Sequence, residues 1–258
     1  MKVLIIIPAH NEESRIDRTL KAYVNFFKKK KDIGNFEILV VLNACNDNTL
    51  TIVKNLKKKY KEIDYLNLEK AGKGFAVKEG FIYGVKGNYD LIGFVDADMS
   101  TSAEEYYKLI KNIGNYSGVI ASRYIKGAKM YPKQTLLRQV ASRAFNFLAR
   151  ALFSLNYRDT QCGAKIFRKE LVEIFARKMG LTNWIFDVDL LYIADKNNFR
   201  IKEYPTIWKD EEGSKLNIKR TSLQVFFAVF QLRILNSKAK IFYKVLKPIG
   251  GWIYRKLK

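Results

Sequence analysis

The sequence has few of the residues from which metal centres and disulfide scaffolds are built. Its 258 residues include two cysteines, Cys45 and Cys162, and one histidine, His10. The cysteines lie far apart and lack the spacing of a zinc motif, so we expect reduced thiols and a cytosolic setting. Because no neighbouring histidine is available to activate it, Cys162 is expected to be a packed small residue.

Long uncharged apolar segments are also missing. The longest candidate, Thr221 to Leu232, contains two glutamines and is shorter than the ~20 residues that a membrane-spanning helix needs. The run from Leu4 to Ile7 is too short for the apolar core of a signal peptide. We therefore expect neither a signal peptide nor a transmembrane span.

Acidic residues are scarce relative to basic ones. The chain has 25 Asp and Glu against 47 Lys and Arg, a formal net charge of +22. This excess favours an anionic partner: nucleic acid, an acidic membrane or a phosphorylated substrate. No acidic residue follows Glu212, and half of the net charge comes from eleven basic residues beyond it: Lys215, Lys219, Arg220, Arg233, Lys238, Lys240, Lys244, Lys247, Arg255, Lys256 and Lys258.

The chain does contain a regular alternation of short apolar runs and helical patterns. With 48% hydrophobic residues it can bury a large core, and the alternation predicts a doubly wound, mainly parallel α/β sheet. The predicted strands are Val3 to Ile7, Glu37 to Leu42, Ile63 to Leu68, Leu91 to Val95, Gly118 to Ser122, Ala164 to Phe167 and Arg200 to Trp208. Predicted helices include Ser14 to Lys30, Ala103 to Ile113, Gln134 to Leu155 and one that begins between Trp184 and Tyr192.

Two carboxylates follow the predicted strand from Leu91 to Val95. Asp96 and Asp98 are two residues apart, so a continuing strand would point both to the same side. They would lie at the carboxyl end of a parallel strand, where open α/β sheets bind ligands. Carboxylate oxygens without histidine suit Mg²⁺ or Mn²⁺. The alternative is a simple turn in which Ser100 or Thr101 caps the next helix.

Polar clusters also follow the first and second strands. They run from Pro8 to Glu13, where Asn11 is expected to cap a helix, and from Asn43 to Thr49. In a doubly wound sheet these ends meet the acidic pair at one edge, together with a basic loop from Lys70 to Lys73. The combination predicts a nucleotide-diphosphate site, although neither a P-loop nor a Gly-x-Gly-x-x-Gly motif is present.

Several motifs resemble those of a known enzyme family. Pro8-Ala-His-Asn-Glu-Glu13 with Asp96-Ala-Asp98 resembles the inverting glycosyltransferases of family 2, which have the nucleotide-sugar-binding GT-A fold. The match covers about residues 1 to 235 and is most similar to the branch that glucosylates dolichyl phosphate, more distantly to dolichol-phosphate mannose synthases. The segments that carry this narrower resemblance are Ser122-Arg123-Tyr124, Arg158 to Gly163, Trp184 to Ala194, Trp208 and Glu212 to Leu216.

The resemblance implies roles for matching positions. Catalytic roles fall on Asp98, Asp187 and Arg123, metal binding on Asp96, Asp98 and Ser100, and the acceptor phosphate on Arg138 or Arg143. His10 is expected to shape the pocket rather than transfer protons. Asn43 and Ser100 depart from the Asp and Gln of mannose synthases. The implied nucleotide-sugar site consists of Pro8, His10, Glu12, Val41, Asn43, Lys73, Asp96, Ala97, Asp98, Arg123 and Lys215.

The implied reaction transfers a sugar to a polyprenyl (dolichyl) phosphate by metal-dependent single displacement. A phosphomonoester has a second pKa near ~6, so it is ionised at neutral pH and needs no strong base. UDP-glucose is the expected donor, and UDP-N-acetylglucosamine and GDP-mannose remain alternatives. A hydroxyl acceptor on a glycan is a further alternative, and it would need a base, for which Asp187 is the candidate.

Two readings from other classes fit less well. A nucleic-acid-binding protein would explain the basic segment Lys238 to Lys258 and its interleaved aromatic residues, but it leaves the carboxylates unexplained. A nucleotidyltransferase would be expected to have a glycine-rich basic loop after the first strand, where this chain has Asn11-Glu-Glu13. We therefore expect no nucleic-acid partner.

The basic C-terminal part predicts a membrane interaction. Residues 1–217 are expected to form the GT-A domain, and residues 218–258 a basic amphipathic helical extension. In the segment 238–258 apolar residues recur at helical spacing between basic ones, as in helices that lie on anionic membranes. We expect a peripheral protein on the cytoplasmic face.

Overall fold

A computed structural model describes residues 1–132, 136–180, 185–209 and 233. The chain divides into two compact units. The first comprises residues 1–133 and 157–211, and the second contains residues 134–156 together with 212–258. Within the described ranges, none of the helices combines the length and the apolarity that crossing a bilayer requires.

The described part of the first unit contains a seven-stranded sheet and a small two-stranded sheet. The large sheet has the order β3-β2-β1-β4-β7-β5-β8, and β7 is antiparallel to both of its neighbours. This architecture confirms the predicted α/β fold with a mainly parallel sheet. The strands are β1 Lys2–Ala9, β2 Asn35–Asn43, β3 Ile63–Leu68, β4 Leu91–Val95, β5 Gly118–Ser122, β6 Lys129–Tyr131, β7 Ala164–Arg168, β8 Ile201–Pro205 and β9 Ile207–Lys209.

Helices alternate with these strands in the order that the sequence predicts. In the first unit they are α1 Ile16–Phe27, α2 Thr49–Lys59, α3 Lys73–Lys86, α4 Ala103–Lys111, α6 Lys169–Lys178 and α7 Phe186–Lys196. In the second unit, α5 Leu136–Phe153 matches the predicted long helix. Helix α6 was not predicted from the sequence.

Helix α3 packs closely against the central strands of the sheet. A Cβ atom added at Gly80 would lie 2.7 Å from Cγ2 of Ile6, and one at Gly84 would lie 2.8 Å from Cδ2 of Leu4. Every residue of β4 and all but the first of β1 are buried. The two glycines therefore let the helix sit directly on the apolar central strands, and this packing fixes the ends of β1 and β4.

Two predicted helix caps are wrong. Asn11 has a φ of 55°, and its Oδ1 accepts a hydrogen bond from the backbone N–H of Asn46 at 2.8 Å. The cap position of α1 is Arg15, so Asn11 joins two loops instead of starting the helix. Helix α4 is capped by Ser102, whose hydroxyl accepts from the N–H of Glu105 at 3.3 Å, not by Ser100 or Thr101.

The predicted strand from Arg200 to Trp208 is two strands. Thr206 separates β8, at the edge of the large sheet, from β9, which pairs with β6. Its hydroxyl and the N–H of Ile207 both donate to Oε2 of the buried Glu105, at 3.2 and 2.9 Å. Alternation along the sequence could not locate this break, because the carboxylate that holds it lies on α4.

Candidate active site

The carboxyl ends of the parallel strands meet along one edge of the large sheet. β1 pairs in parallel with both β2 and β4, which brings the loops after Ala9, Asn43 and Val95 side by side. Antiparallel β7 begins at the same edge, where Ala164 is paired with Val95. The predicted convergence of these loops is confirmed, and the segment Arg158 to Gly163 joins them.

The acidic pair lies in a turn and not on a continuing strand, so that part of the prediction is wrong. β4 ends at Val95, and Met99 has a φ of 64°. The two carboxylates are nevertheless close, since burial first and the charge of Asp96 second raise the pKa of Asp98. Oδ1 of Asp98 accepts a hydrogen bond from the N–H of Ser100 at 2.9 Å. The turn thus holds two carboxylates against their mutual repulsion.

A glycine of the later motif makes room for Asp96. A Cβ atom at Gly163 would lie 2.0 Å from Oδ2 of Asp96, and the carbonyl oxygen of Gly163 accepts from the Asp96 N–H at 3.1 Å. The side chain of Asp96 is 29% exposed, and its Oδ1 lies 2.5 Å from Nζ of Lys73. The segment before β7 therefore shapes the acidic site directly.

Lys73 brings a cation into this acidic cluster from the first residue of α3. Burial lowers its pKa, but the carboxylates of Asp96 and Asp187 outweigh burial, and the net shift is upward. The preceding Gly72 has a φ of 138°, which a side chain would strain, and its N–H donates to Oδ1 of Asn43 at 3.0 Å. Lys73 is thus charged at neutral pH and anchored at the site.

The donor set fits a hard divalent cation that also binds a diphosphate. Asp96 and Asp98 supply carboxylate oxygens, the ligand type that Mg²⁺ and Mn²⁺ prefer. In the described ranges no group of three or more His, Cys, Asp or Glu residues is arranged for a metal ion. Ser100, the predicted third ligand, is 4% exposed, and its hydroxyl is bonded to Asp98 and orients that carboxylate. Its contact with the metal stays a prediction. The remaining ligands would come from water and substrate.

The predicted nucleotide side of the site is organised by Asn43. This buried side chain donates to the carbonyl oxygen of Ala9 at 2.8 Å and accepts from the N–H of Gly72, so it connects the ends of β1 and β2 with the start of α3. Its own carbonyl oxygen lies 2.6 Å from Nδ1 of the exposed His10. Asn43 is therefore placed to position His10 and the basic loop, and its contact with a nucleotide stays a prediction.

Other predicted nucleotide-site residues form the support beneath this edge. Pro8 and Val41 are buried register partners in β1 and β2, and Val41 has no exposed surface. Ala97 is 4% exposed, and its carbonyl oxygen accepts from the hydroxyl of Thr19 at 2.7 Å. These residues fix the backbone of the site and present little side-chain surface to it.

Glu12 is paired with a basic residue that the sequence analysis missed. Nε and Nη2 of Arg15 both donate to the Glu12 carboxylate, and the bond from Nη2 to Oε1 is 3.1 Å long. The Glu12 hydrogen bond is the largest cause of a raised Arg15 pKa, and the charges of Asp98 and Asp96 add to it. Arg15 therefore lies in the field of the acidic pair. Its spacing of three from Glu12 was the available sequence signal.

Arg123 is held by a buried carboxylate. Its Nε and Nη2 donate to Oδ2 and Oδ1 of Asp159 at 2.7 and 2.9 Å. Burial raises the pKa of Asp159, but the Arg123 guanidinium outweighs this and the net shift is downward. The rings of Tyr124 and Trp208 lie 5.3 and 5.5 Å from the Arg123 Cζ. Asp159, which the sequence analysis did not single out, thus fixes the guanidinium in one orientation.

Asp187 is paired with a second buried residue that was missed, Lys165. Oδ1 of Asp187, in the first turn of α7, lies 2.5 Å from Nζ of Lys165, the second residue of β7. Burial raises the pKa of Asp187, and Lys165 and Lys73 oppose the rise. Cys162 is fully buried, and burial raises the pKa of its thiol to about 12, so the prediction that it is a packed residue is confirmed.

The described structure does not test the roles of four residues that the resemblance names. Lys215 lies outside the described residues, as does the side chain of Arg138, and so does Trp184 of the resemblance. Arg143 is exposed on α5, in the second unit. Their roles stay predictions.

The fold and the acidic edge define the class of protein. Glucosyl-3-phosphoglycerate synthase from Mycobacterium tuberculosis, crystallised with Mn²⁺, UDP and glucosyl-3-phosphoglycerate, is similar with a TM-score of 0.66 and 15% identity, over 90% of this chain and 79% of that one. Another crystal of that enzyme, with Mn²⁺, UDP-glucose and phosphoglyceric acid, gives a TM-score of 0.65 at 13% identity, over 90% and 79% of the two chains. The chain has the GT-A glycosyltransferase fold.

Sequence comparison defines the family. The model of glycosyl transferase family 2 matches residues 4–175. The dolichyl-phosphate β-glucosyltransferase of Dictyostelium discoideum is 30% identical over 243 residues, which are 89% of this chain and 73% of that protein. The human protein of the same name is 29% identical over 225 residues, 82% and 68% of the two chains. The chain belongs to glycosyltransferase family 2, as its motifs predicted, and is a glycosyltransferase.

Proposed function

We propose that this chain transfers glucose from UDP-glucose to a polyprenyl (dolichyl) phosphate and yields a β-linked lipid phosphate sugar. The observation that carries the proposal is the edge of the sheet where Asp96, Asp98 and Lys73 converge beside the buried Asp187. The relatives named dolichyl-phosphate β-glucosyltransferase support the acceptor and the sugar. The UDP complexes of the structural neighbour support the donor.

On the donor side, the carboxylates of Asp96 and Asp98 would hold Mg²⁺ or Mn²⁺. When bound, this ion neutralises the diphosphate and stabilises the leaving group. Lys73, fixed beside Asp96 at the start of α3, adds a positive charge and a helix N-terminus, both of which favour phosphate. His10, held by the carbonyl oxygen of Asn43, is placed at the nucleotide side. Glu12 keeps Arg15 close to the same charges.

On the acceptor side, an ionised phosphate is already a nucleophile, so the chain has to bring two anions together. Arg123 is suited to this role because Asp159 and two aromatic rings hold its guanidinium rigidly at the carboxyl end of β5. Arg138, Arg143 and Lys215 are further candidates for phosphate contact, from their positions in the motifs. Attack on an α-linked donor by a single displacement gives the β-linked product.

A second candidate function follows from one observation. Burial raises the pKa of Asp187, as expected of a carboxylate that acts as a general base. A hydroxyl acceptor, unlike a phosphate, would need such a base. With that acceptor Asp187→Asn would abolish transfer, whereas with a phosphate acceptor the variant keeps part of its activity at every pH.

Membrane association belongs to the same proposal. The segment 238–258 has seven basic and no acidic residues among apolar and aromatic ones, which suits an anionic bilayer surface. Deletion of 238–258 should abolish binding to vesicles of anionic lipid and most activity on long-chain polyprenyl phosphate, with less loss on a short soluble analogue. If the truncated protein sediments with these vesicles as the full chain does, this segment is not the anchor.

Transfer into a lipid phase tests the proposed reaction. Purified protein is incubated with polyprenyl phosphate, Mg²⁺ or Mn²⁺ and a panel of labelled UDP-glucose, UDP-N-acetylglucosamine and GDP-mannose. Glucose label should enter the organic phase, chelator should prevent it, and Asp98→Asn should lack it. The control is Asp64→Asn. Asp64 is a partly exposed residue of β3 whose carboxylate pairs with Lys57, and this variant should keep the transfer of label. Equal labelling in excess chelator would contradict the metal role, and label from another donor alone would contradict the sugar.

A further inference from the structure

Lys165 is a fully buried lysine in the middle of the large sheet. It lies on β7 between Phe94 of β4 and Ile120 of β5, its register partners, and has no exposed surface. An ammonium group removed from water costs several kcal/mol unless it is well paired. A lysine at such a position therefore needs a specific partner.

The surroundings of the ammonium are defined. Nζ donates to Oδ1 of Asp187 at 2.5 Å and to the carbonyl oxygen of Cys162 at 2.6 Å, and it lies 5.4 Å from the centre of the Phe94 ring. These contacts come from three elements: the first turn of α7, the loop before β7 and the strand β4. Lys165 thus holds Asp187 at a fixed place relative to the carboxyl edge of the sheet.

The carboxylate of Asp187, which Lys165 holds, belongs to the candidate active site. The charges of Asp187 and Asp96 both act on Lys73, and 7% of the Asp187 side chain is exposed. Gly163, two residues before Lys165, is the residue that makes room for Asp96. One short segment therefore positions both Asp96 and Asp187.

Stability alone does not account for this pair. A buried ion pair is often no more stabilising than apolar side chains of similar volume, because desolvation offsets the attraction. The centre of this sheet is otherwise apolar around β4, where a methionine or leucine would be the ordinary choice. The charge at Lys165 therefore has a role other than packing.

We infer that Lys165 is a positioning residue for glycosyl transfer, which acts through Asp187. Its ammonium fixes Oδ1, so that the second oxygen of the carboxylate can accept a hydrogen bond from a hydroxyl of the donor sugar. The inference rests on the proposed function, because it assigns the place of Asp187 to the donor sugar. Lys165 itself does not touch the substrate.

A double-mutant cycle tests this inference. Lys165→Met keeps the length of the side chain and removes its charge, and Asp187→Asn and the double variant complete the set. We expect Lys165→Met to lower kcat about 10- to 100-fold, the usual effect of losing a group that orients an active-site side chain. The affinity for UDP, measured by calorimetry, should stay within about 3-fold of wild type, because Lys165 holds the sugar end of the site and not the nucleotide. Lys169→Met, whose ammonium bonds only the carbonyl oxygen of Gly87 among its described contacts, is the control and should keep wild-type kcat.

The decisive comparison is between Asp187→Asn and the double variant. If Lys165 acts through Asp187, adding Lys165→Met to Asp187→Asn should change kcat by less than about 3-fold, as for residues that work as a unit. Neither Asp187→Asn nor the double variant contains an unpaired buried carboxylate at position 187. The comparison between these two variants therefore holds even if Lys165→Met alone unfolds. A further loss of about 10-fold or more in the double variant would overturn the inference, as would wild-type kcat in Lys165→Met. The cycle compares rates within one set of proteins, so it is read with whichever donor the wild type uses.

Discussion

Replacement of Gly163 by alanine should disable the site while leaving the fold intact. The added Cβ atom would lie 2.0 Å from Oδ2, 2.4 Å from Cγ and 2.7 Å from Oδ1 of Asp96. Ordinary contact between carbon and oxygen needs roughly 3.4 Å, so the carboxylate must move by about 1.4 Å. The backbone at Gly163 does not require a glycine for its φ, and the Asp96 side chain is 29% exposed, so the side chain can move aside.

The displacement of the Asp96 carboxylate should lower the rate of catalysis. A shift of about 1 Å in a group that positions the reacting atoms can cost about 100-fold, which corresponds to about 2.7 kcal/mol of transition-state stabilisation. We expect Gly163→Ala to lower kcat/KM for the nucleotide sugar by at least that factor. Steady-state transfer into the lipid phase at several metal concentrations measures the loss, and thermal unfolding reports the fold.

Two further variants complete this test. Gly180→Ala adds a methyl group where no atom of the described residues lies within 4 Å, so it should keep full activity. In an Asp96→Ala background the clash is absent, so adding Gly163→Ala should not change the unfolding temperature. Wild-type kcat/KM in Gly163→Ala would refute the argument that this glycine is kept for the Asp96 carboxylate.

Three other changes have defined outcomes. Asp159→Asn should cost about 3–5 kcal/mol of unfolding free energy at neutral pH, because it leaves the Arg123 guanidinium buried without its carboxylate. Since the folded pKa of Asp159 is lowered, its stabilisation is complete above the ordinary carboxyl pKa of about 3.9 and is lost as the pH falls through the folded value. The gap between wild type and variant in urea unfolding should therefore narrow in acid, and a gap that widens would contradict the pairing. Asn43→Ala should lower the free energy of unfolding by about 1–3 kcal/mol, because the N–H of Gly72 and the carbonyl oxygen of Ala9 lose their partner. It should also raise the KM for the donor, and an unchanged KM would show that the Asn43 side chain does not position the nucleotide side. Asp187→Asn should retain part of its activity on polyprenyl phosphate, and a pH–rate profile in which a limb near a carboxylate pKa disappears would instead favour a hydroxyl acceptor.

Local pattern predicted the strands of this sheet well. The bounds of β3, β4 and β5 equal those expected from Ile63 to Leu68, Leu91 to Val95 and Gly118 to Ser122. β4 and β5 are short apolar runs, β3 alternates apolar and polar residues at its start, and a polar residue lies at or just after the end of each, so the boundaries are visible in the sequence. The parallel arrangement of the ends of β1, β2 and β4 then followed from topology alone.

The contacts that complete the site could not be read in this way. Arg123 and Asp159 are 36 positions apart, and Lys165 and Asp187 are 22 apart, so neither pair has a local signature. Lys165 stands in a run that reads as an ordinary buried strand. The sequence shows that this strand contains a charge, but only the fold shows which carboxylate it meets.

The motifs indicated which residues converge but not what each one does there. Asn43 was expected to contact the nucleotide, but it is buried and bridges Ala9 to Gly72. Ser100 was expected to bind metal, but its hydroxyl supports Asp98. Both side chains are buried, and motif spacing does not report burial.

Binding of UDP by calorimetry tests the central claim most directly, because it needs neither the lipid nor the correct sugar. We expect wild type to bind UDP in the presence of Mn²⁺ and excess chelator to abolish most of this binding. Asp98→Asn should lose the binding, and Asp64→Asn should keep it. Equal affinity with and without Mn²⁺, or unchanged affinity in Asp98→Asn, would contradict a metal-bound diphosphate at the Asp96–Asp98 edge.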